Sequence, residues 1–507
     1  MEYRIQTVAV IGAGTMGAGI AQVAAQSGYQ VVLFDVQPGK AAQTKDDIAV
    51  RMEKRVARGK MTRDAQQALL GALHCSDALG DVAGADLVIE AIVEDLAIKQ
   101  SLFRDLEAIC RDDCLLATNT SSISVTSIAS ALARPERFVG LHFFNPAPLM
   151  KLVEVVRGIA TAASVSEAAQ AWAQSCDKHA VVTRSIPGFI VNRVARPFYA
   201  EGLRALETSV AEVQDIDHLI TQAGQFNMGP FELMDLIGHD VNYAVTKSVY
   251  DAYYQDKRFL PSLTQKELVE AGYLGRKSGR GFYSYADAAT RPAVNLASKR
   301  ALPQDLPVSL HGDWRVTPSL PELVGLTTSA GDDGDAPFNQ PHLNIDGTYV
   351  LLTFGMTASD LSAQLDRPVV VFDYCQDYGS SEVIAIAPAL QNSQANTDAV
   401  IAYFQSKGKQ VLVLDDYPGL ILWRTWTMLI NEALDLVNQN GASTADVDVA
   451  MKSGVNYPLG PIEQGGRLGW PRLLDTLTHL QAFYGEERYR PSPLLRRFAI
   501  QYQRGEL

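Results

Sequence analysis

The sequence predicts an α/β domain on a doubly wound, mostly parallel sheet, then an all-α domain, then a degenerate repeat of both. Three observations carry that prediction. Apolar runs alternate with helical periodicity up to about residue 185; long helical stretches take over after Ile186; and the same landmarks return from about Val350 onward. At 507 residues the chain is too long for one core, and about 150 residues per domain gives three or so.

Taken in order, "TVAVIGAG" is a short apolar run ending in glycine, "MGAGIAQVAAQSG" spaces small and apolar residues helically, and "QVVLFD" is another buried-strand pattern. Strand-like runs continue at "ADLVIEAIV", "CLLATNT", "RFVGLHFF" and "LVEVV", alternating with helical stretches such as Leu96–Ile109 and Ser166–Ser175. From "IPGFIVNR" (Ile186 to Arg193) the pattern turns helical, through Ala200–Leu206, Ile216–Ala223 and Phe231–Ile237. The stretch from about Tyr285 to Asn344, with "ADAATRPAV" and "SAGDDGDAPFNQPH", reads as linker with partial order. Beyond it, "IPGFIVNR" returns as "YPGLILWR" (Tyr417 to Arg424) and "NMGPFELMDLIG" as "PLGPIEQGGRLG". Pro187/Pro418, Glu201/Glu432, Asp217/Asp448 and Gly229/Gly460 all keep one offset. "VLLTFGMTASDLSAQLDRPVVVFDY" loosely echoes "LLATNTSSISVTSIASALARPERFVGLHFF", without a Gly-rich loop of its own. The expected parts are a nucleotide-binding domain at 1–185, a helical domain at 186–285 and a linker at 286–344. A partial nucleotide-binding copy at 345–416 and a second helical copy at 417–507 follow.

A net charge of -13 argues against a nucleic-acid binder or a membrane-surface protein, both of which need a dominant basic field. The five cysteines form no CxxC pair and no metal-like cluster with histidine, so no metal is expected and a reducing compartment is. The N-terminus enters a strand pattern without a charged-then-apolar leader, and no apolar run is long enough to span a bilayer. The expected compartment is the cytoplasm.

Gly12, Gly14 and Gly17 lie between a strand and a helix pattern, suiting a tight turn, close approach to a pyrophosphate, and close helix packing in that order. The helix N-terminus offers free N–H groups to phosphate. Asp35 ends the next strand, where a carboxylate accepts from a ribose 2′-hydroxyl and repels a 2′-phosphate. This is a Rossmann-type unit, and NAD is the expected cofactor over NADP.

Together with "ADLVIEAIVEDL", "NTSS", "GLHFFNPAPLMKLVEVV", "PGFIVNR", "GPFELMDLIG" and "GRKSGRGFY", the loop "GAGTMG" gives a chain that resembles the 3-hydroxyacyl-CoA dehydrogenases over residues 5–285. The likeness is to the long bacterial form with a duplicated C-terminal domain, similar to 3-hydroxybutyryl-CoA and phenylacetate-pathway 3-hydroxyadipyl-CoA enzymes. It implies NAD-dependent oxidation of an (S)-3-hydroxyacyl-CoA to the 3-oxoacyl-CoA, in fatty acid or phenylacetate degradation.

Oxidising a secondary alcohol needs a base for the hydroxyl proton, and His142 in "GLHFFNP" is the candidate. The resemblance pairs it with Glu154 in "KLVEVV" and makes Ser121 and Asn192 hydrogen-bond partners of the substrate oxygens. It also implies Thr15, Met16, Glu94, Lys99, Asn119 and Asn145 as positions around the cofactor. An acidic protein that binds coenzyme A needs a concentrated basic patch. "RMEKRVARGKMTR" supplies one, with Arg51, Arg58 and Lys60 as the expected CoA contacts.

In the second copy Trp423 stands at the place of Asn192 and no histidine occupies Val369–Tyr374, so that half is expected to be catalytically silent. In shorter relatives the helical domain pairs two subunits. A homodimer is therefore one expectation, and cover of the same surface by the second copy is the other. Two other functions stay open. A dehydrogenase of a free 3-hydroxy acid would not need the basic helix; a non-catalytic NAD-binding protein would not need His142, Glu154, Ser121 and Asn192 together.

Overall fold

A computed structural model describes residues 3–286, 289–327 and 340–506, and the chain divides into two compact units. The first comprises residues up to Arg193 together with Gln439–Val455. Its strands are β1 (Thr7–Ile11), β2 (Gln30–Phe34), β3 (Leu73–Ser76), β4 (Leu87–Glu90), β5 (Leu115–Thr118), β6 (Phe138–Phe143), β7 (Leu152–Arg157) and β8 (His179–Arg184). Among the described residues they form one eight-stranded sheet in the order β3-β2-β1-β4-β5-β6-β7-β8. Every neighbouring pair is parallel except β6 with β7, which are antiparallel.

Burial on both faces explains the unbroken apolar runs. Val8 and Val10 of β1 pack into one core layer and Ala9 and Ile11 into the other, all at most 1% exposed. The strand order reverses between β1 and β4, so the loops at their C-terminal ends bound the crevice in which such sheets bind ligands.

The second unit holds helices of both copies and a second sheet. Its strands are β9 (Val308–His311), β10 (His342–Ile345), β11 (Thr348–Leu352), β12 (Val369–Phe372), β13 (Val383–Pro388) and β14 (Gln410–Val413), in the order β14-β13-β12-β11-β10-β9. The segment 286–344, expected as linker, thus contributes β9, β10 and the helix Ser319–Val324. Four-residue strands set among proline, glycine and aspartate are too short to register as alternation. Parts of "ADAATRPAV" and "SAGDDGDAPFNQPH" lie outside the described residues. From β11 to β14 the directions run parallel, antiparallel, parallel, as from β5 to β8, so the copy keeps the last part of the first sheet.

Each sheet is packed by one helix of the other copy. The second copy's Thr444–Val455 packs on β7 and β8, where Arg184 donates its N–H to the Gly441 carbonyl at 2.9 Å and Gly454 lies against Leu152. Its first-copy counterpart, Val213–Gln222, packs on β13, and Gln376 N–H donates to Ala223 O at 2.8 Å. Within the second unit the helices Arg196–Glu207 and Leu422–Asn438, also counterparts, pack against each other. Their carboxylates are matched in kind, Glu201 by Arg424 at 2.6 Å and Arg488 at 4.0 Å, Glu432 by Arg258 at 3.4 Å. No described helix is long and apolar enough to cross a membrane.

Candidate active site

The three glycines of the first loop divide the work that the motif demands. Gly12 has φ +102° and a Cβ there would lie 2.5 Å from Ala91 O; a Cβ on Gly17 would lie 1.7 Å from Gly12 O. Gly14 meets nothing within 4 Å, which leaves room for a phosphate at the start of the helix Thr15–Gln26. Asp35 steadies the loop, accepting from Ala13 N at 2.7 Å and Gln37 N at 2.9 Å, with lone pairs left for a ribose hydroxyl. Met16 is half-buried and packs against the core. The loop therefore fits a dinucleotide. Asp35→Ala is expected to raise the ratio of NADP to NAD catalytic efficiency about tenfold, because a repulsive charge and a ribose acceptor go together. An unchanged ratio in steady-state assays would assign the ribose to another residue.

Across the crevice, Glu94 gathers the loop after β5. It accepts from the Thr120 hydroxyl, from Ser121 N at 3.1 Å and from Ser122 N at 3.2 Å. Burial pushes the Glu94 carboxyl up, but the Thr120 hydroxyl and the Lys99 ammonium outweigh it and hold it below the usual carboxylate range. Lys99 is 1% exposed and sits between Glu90 at 2.5 Å and Glu94 at 3.2 Å, so its ammonium is engaged with carboxylates. Glu90, which the sequence reading did not single out, also accepts from the Thr118 hydroxyl at 2.7 Å. Asn119 accepts from Phe143 N at 2.8 Å and ties this loop to β6.

His142 and Glu154 are direct partners in the antiparallel register of β6 and β7, which puts their side chains on one face of the sheet. His142 Nδ1 lies 2.6 Å from Glu154 Oε2. The other oxygen, Oε1, accepts from Ile190 N at 3.0 Å and Val191 N at 2.9 Å. A carboxylate with no exposed surface is tolerated only with such donors around it. The turn that aims those N–H groups has Gly188 at φ +77° and Phe189 at φ +47°; the second copy repeats it with Gly419 at +79° and Leu420 at +48°. Phe144 and Phe189 wall the imidazole at 4.5 and 5.8 Å between ring centroids. Asn192, in the helix Val191–Val194, is half-buried, and neither its amide nor the Ser121 hydroxyl hydrogen-bonds within the described residues.

A cavity of about 630 Å³ in the same unit runs from Gly14 and Thr15 to Arg51 and Arg55 and reaches Asn145. The cavity-facing residues of the helix Lys40–Ala57 are Lys40, Thr44, Asp47, Arg51, Met52 and Arg55, whereas Arg58 is the helix C-cap and Lys60 lies beyond it, both exposed and outside the lining. Lys178 was also missed: its ammonium donates to Ala147 O at 2.7 Å and Met150 O at 2.8 Å, pinning the loop that carries Asn145. Burial, and then Lys151, hold that ammonium below its usual range.

The second copy keeps the turn of this centre with other side chains. Asp373, following β12, accepts from Ile421 N, Leu422 N and Trp423 N at 2.9, 2.7 and 2.9 Å, replacing Glu154 as the cap of that turn. The last paired residues of β12 and β13 are Phe372 and Ile386, and the buried Trp423 indole donates to Thr476 Oγ1 at 3.0 Å.

Comparison with known proteins gives a concordant picture. The model of the 3-hydroxyacyl-CoA dehydrogenase NAD-binding domain matches residues 7–186, and that of the C-terminal domain matches both 188–285 and 419–506. A reduced Rossmann-fold domain of 3-hydroxybutyryl-CoA dehydrogenase matches 350–418. The chain is 46% identical over 505 residues to a 3-hydroxyadipyl-CoA dehydrogenase of Escherichia coli, covering 99% of this chain and 98% of that one. It is 39% identical over 292 residues to a 3-hydroxybutyryl-CoA dehydrogenase of Bradyrhizobium diazoefficiens, covering 58% of this chain and 99% of the relative. A crystal structure described as 3-hydroxybutyryl-CoA dehydrogenase from Escherichia coli aligns with a TM-score of 0.90 at 46% identity, over 99% of this chain and all of that one.

Proposed function

The chain belongs to the 3-hydroxyacyl-CoA dehydrogenase family and is an NAD-dependent oxidoreductase of 3-hydroxyacyl-CoA, and on that premise we propose the roles of its residues and its acyl group. His142 is the general base, Glu154 its orienting carboxylate, and Ser121 and Asn192 hold the substrate oxygens. The acyl group is short, 3-hydroxybutyryl or 3-hydroxyadipyl. The bond between His142 Nδ1 and Glu154 carries this reading, because an ionised carboxylate only accepts. Nδ1 therefore holds the proton and Nε2 keeps its lone pair.

His142 Nε2 takes the proton of the substrate 3-hydroxyl as the carbon–oxygen double bond forms. The chemistry that NAD supplies when bound is acceptance of the hydride from carbon 3. Glu154 balances the charge that the imidazole gains, and His142 then releases the proton to solvent. Arg51 leads the CoA contacts, supported by its place in the cavity; Arg58 and Lys60 act on phosphates beyond the helix end. The second copy is silent, and because each sheet is completed by a helix of the other copy, a second chain is not needed to complete either. Five free cysteines support a cytoplasmic location.

The test is NADH absorbance with acetoacetyl-CoA and 3-oxoadipyl-CoA as substrates in the reductive direction. Reduction of neither would overturn the acyl assignment. Glu154→Gln is expected to lower kcat about a hundredfold, since the amide NH2 turned toward Nδ1 selects the other tautomer and leaves the base protonated on Nε2. Activity within twofold of the parent would remove Glu154 from the mechanism and leave His142 in place.

A further inference from the structure

A second cavity, of about 400 Å³, lies wholly inside the second unit between the helix Arg196–Glu207 and the segment from Arg258 to Gln265. That volume is in the range of small-molecule sites. Its walls are apolar at Leu203, Phe259, Leu260 and Leu263, yet four arginines line it. Three of them are matched by carboxylates. Arg258 pairs with Asp435 at 2.6 Å and Asp256 at 3.0 Å, Arg204 with Glu486 at 3.4 Å, and Arg488 with Glu486 at 3.4 Å and Glu201 at 4.0 Å. The lining carboxylate, Glu207, is exposed and accepts from the Ser262 hydroxyl.

Arg196 is different. It is 5% exposed, its guanidinium lies over the face of Tyr199 at 4.9 Å, and Nη1 donates to the Thr246 hydroxyl at 2.9 Å. Among the described residues no carboxylate pairs with it, and Nε and Nη2 make no hydrogen bond. Those two nitrogens form the edge of a guanidinium that grips a carboxylate by two parallel bonds. The groups acting on its charge are the phenols of Tyr199 and Tyr457, and burial pushes both phenols up, so neither supplies a negative charge. A buried guanidinium without a counter-charge is a costly feature in the free protein, and an entering anion removes that cost.

We propose that this cavity binds a free aliphatic monocarboxylate, its carboxylate on Arg196 and its hydrocarbon chain along the leucines and Phe259. One unmatched arginine asks for one negative charge. A phosphate would bring more charge and leave oxygens against Leu203 and Phe259 without donors, whereas methylenes are at home there. A neutral alcohol of the same length offers Arg196 no counter-charge. The lining shares no residue with the cavity of the first unit, and the inference stands apart from the dehydrogenase reading.

The experiment titrates hexanoate into the full-length protein, Arg196→Met, Arg196→Lys and Leu263→Asp by calorimetry, with the unfolding temperature read in parallel. Hexanoate is expected to bind the parent and raise its unfolding temperature. Arg196→Met is expected to weaken that binding on the order of thirtyfold or more, since it removes the buried charge. Arg196→Lys should fall between, because it keeps the charge and loses the fork. Leu263 is 75% exposed where it lines the cavity, so Leu263→Asp sets a repelling charge on the wall without opening the core, and a loss of about tenfold is expected. Hexanol and inorganic phosphate are the controls, and any effect of either is expected to be the same in the parent and Arg196→Met. Absence of hexanoate binding to the parent overturns the proposal. Equal affinity in the parent and Arg196→Met puts the acid elsewhere and overturns it too. Phosphate binding that Arg196→Met abolishes as fully as it does hexanoate makes this a general anion site and defeats the assignment of a chain, and the same result with hexanol defeats the assignment of a charge. Should Arg196→Met fail to fold, Arg196→Lys and Leu263→Asp still decide, because unchanged affinity in both removes the site.

Discussion

His142→Gln is expected to lower kcat by roughly a thousandfold while the NADH dissociation constant changes less than twofold. The side-chain amide of glutamine can donate to Glu154 Oε2 from about the place Nδ1 occupies, so the buried carboxylate keeps a partner and the turn at Ile190 and Val191 keeps its cap. What glutamine lacks is a lone pair basic enough to take the hydroxyl proton. The Gly12–Gly17 loop and Asp35 are untouched, so fluorescence titration with NADH separates binding from chemistry. Turnover within tenfold of the parent would take the base away from His142.

The second large effect is structural. A chain ending at Tyr285 loses Thr444–Val455 from the face of β7 and β8, and loses Trp426 and Tyr457 from contact with Phe226. Phe198 and Phe226, 2% and 4% exposed in the whole chain, then meet water, at about 2 kcal/mol each. Glu201 loses both Arg424 and Arg488. Light scattering of the truncated protein is expected to show either aggregation or a homodimer in which each chain lends the missing helix to its partner. A stable, fully active monomer would mean that the second copy covers nothing that matters.

Much of this site was legible because its geometry is local. Three glycines between a strand and a helix dictate one loop, and His142 and Glu154 belong to consecutive strands whose antiparallel register makes them meet. Other parts depend on what lies across a contact. Glu90 ends an apolar run and looks like a strand terminus until Lys99 is seen against it. The basic run lies in part on the helix that lines the cavity, but it could not say that the cavity face extends back through Thr44 and Lys40. Strands β3 and β8 escaped for a simpler reason: β3 has one buried apolar residue, Leu73, followed by exposed His74 and Cys75, and β8 is bounded by exposed His179 and Arg184 with a short apolar stretch between. The repeat was plain from its constant offset, but an offset says which residues correspond and not which copy's helix completes which sheet.

The matched carboxylates Glu201 and Glu432 have a genetic consequence. At an isologous interface of a homodimer, one codon sets both sides of the axis, so every substitution is made twice and must suit its own image. Here the two sides are separate codons, and a change at Glu201 leaves Glu432 as it was. Drift can then proceed on one side while selection holds the other. Asp373 taking over the cap from Glu154, and Trp423 filling the place of Asn192, are changes that a self-pairing chain would have had to make in its only catalytic centre.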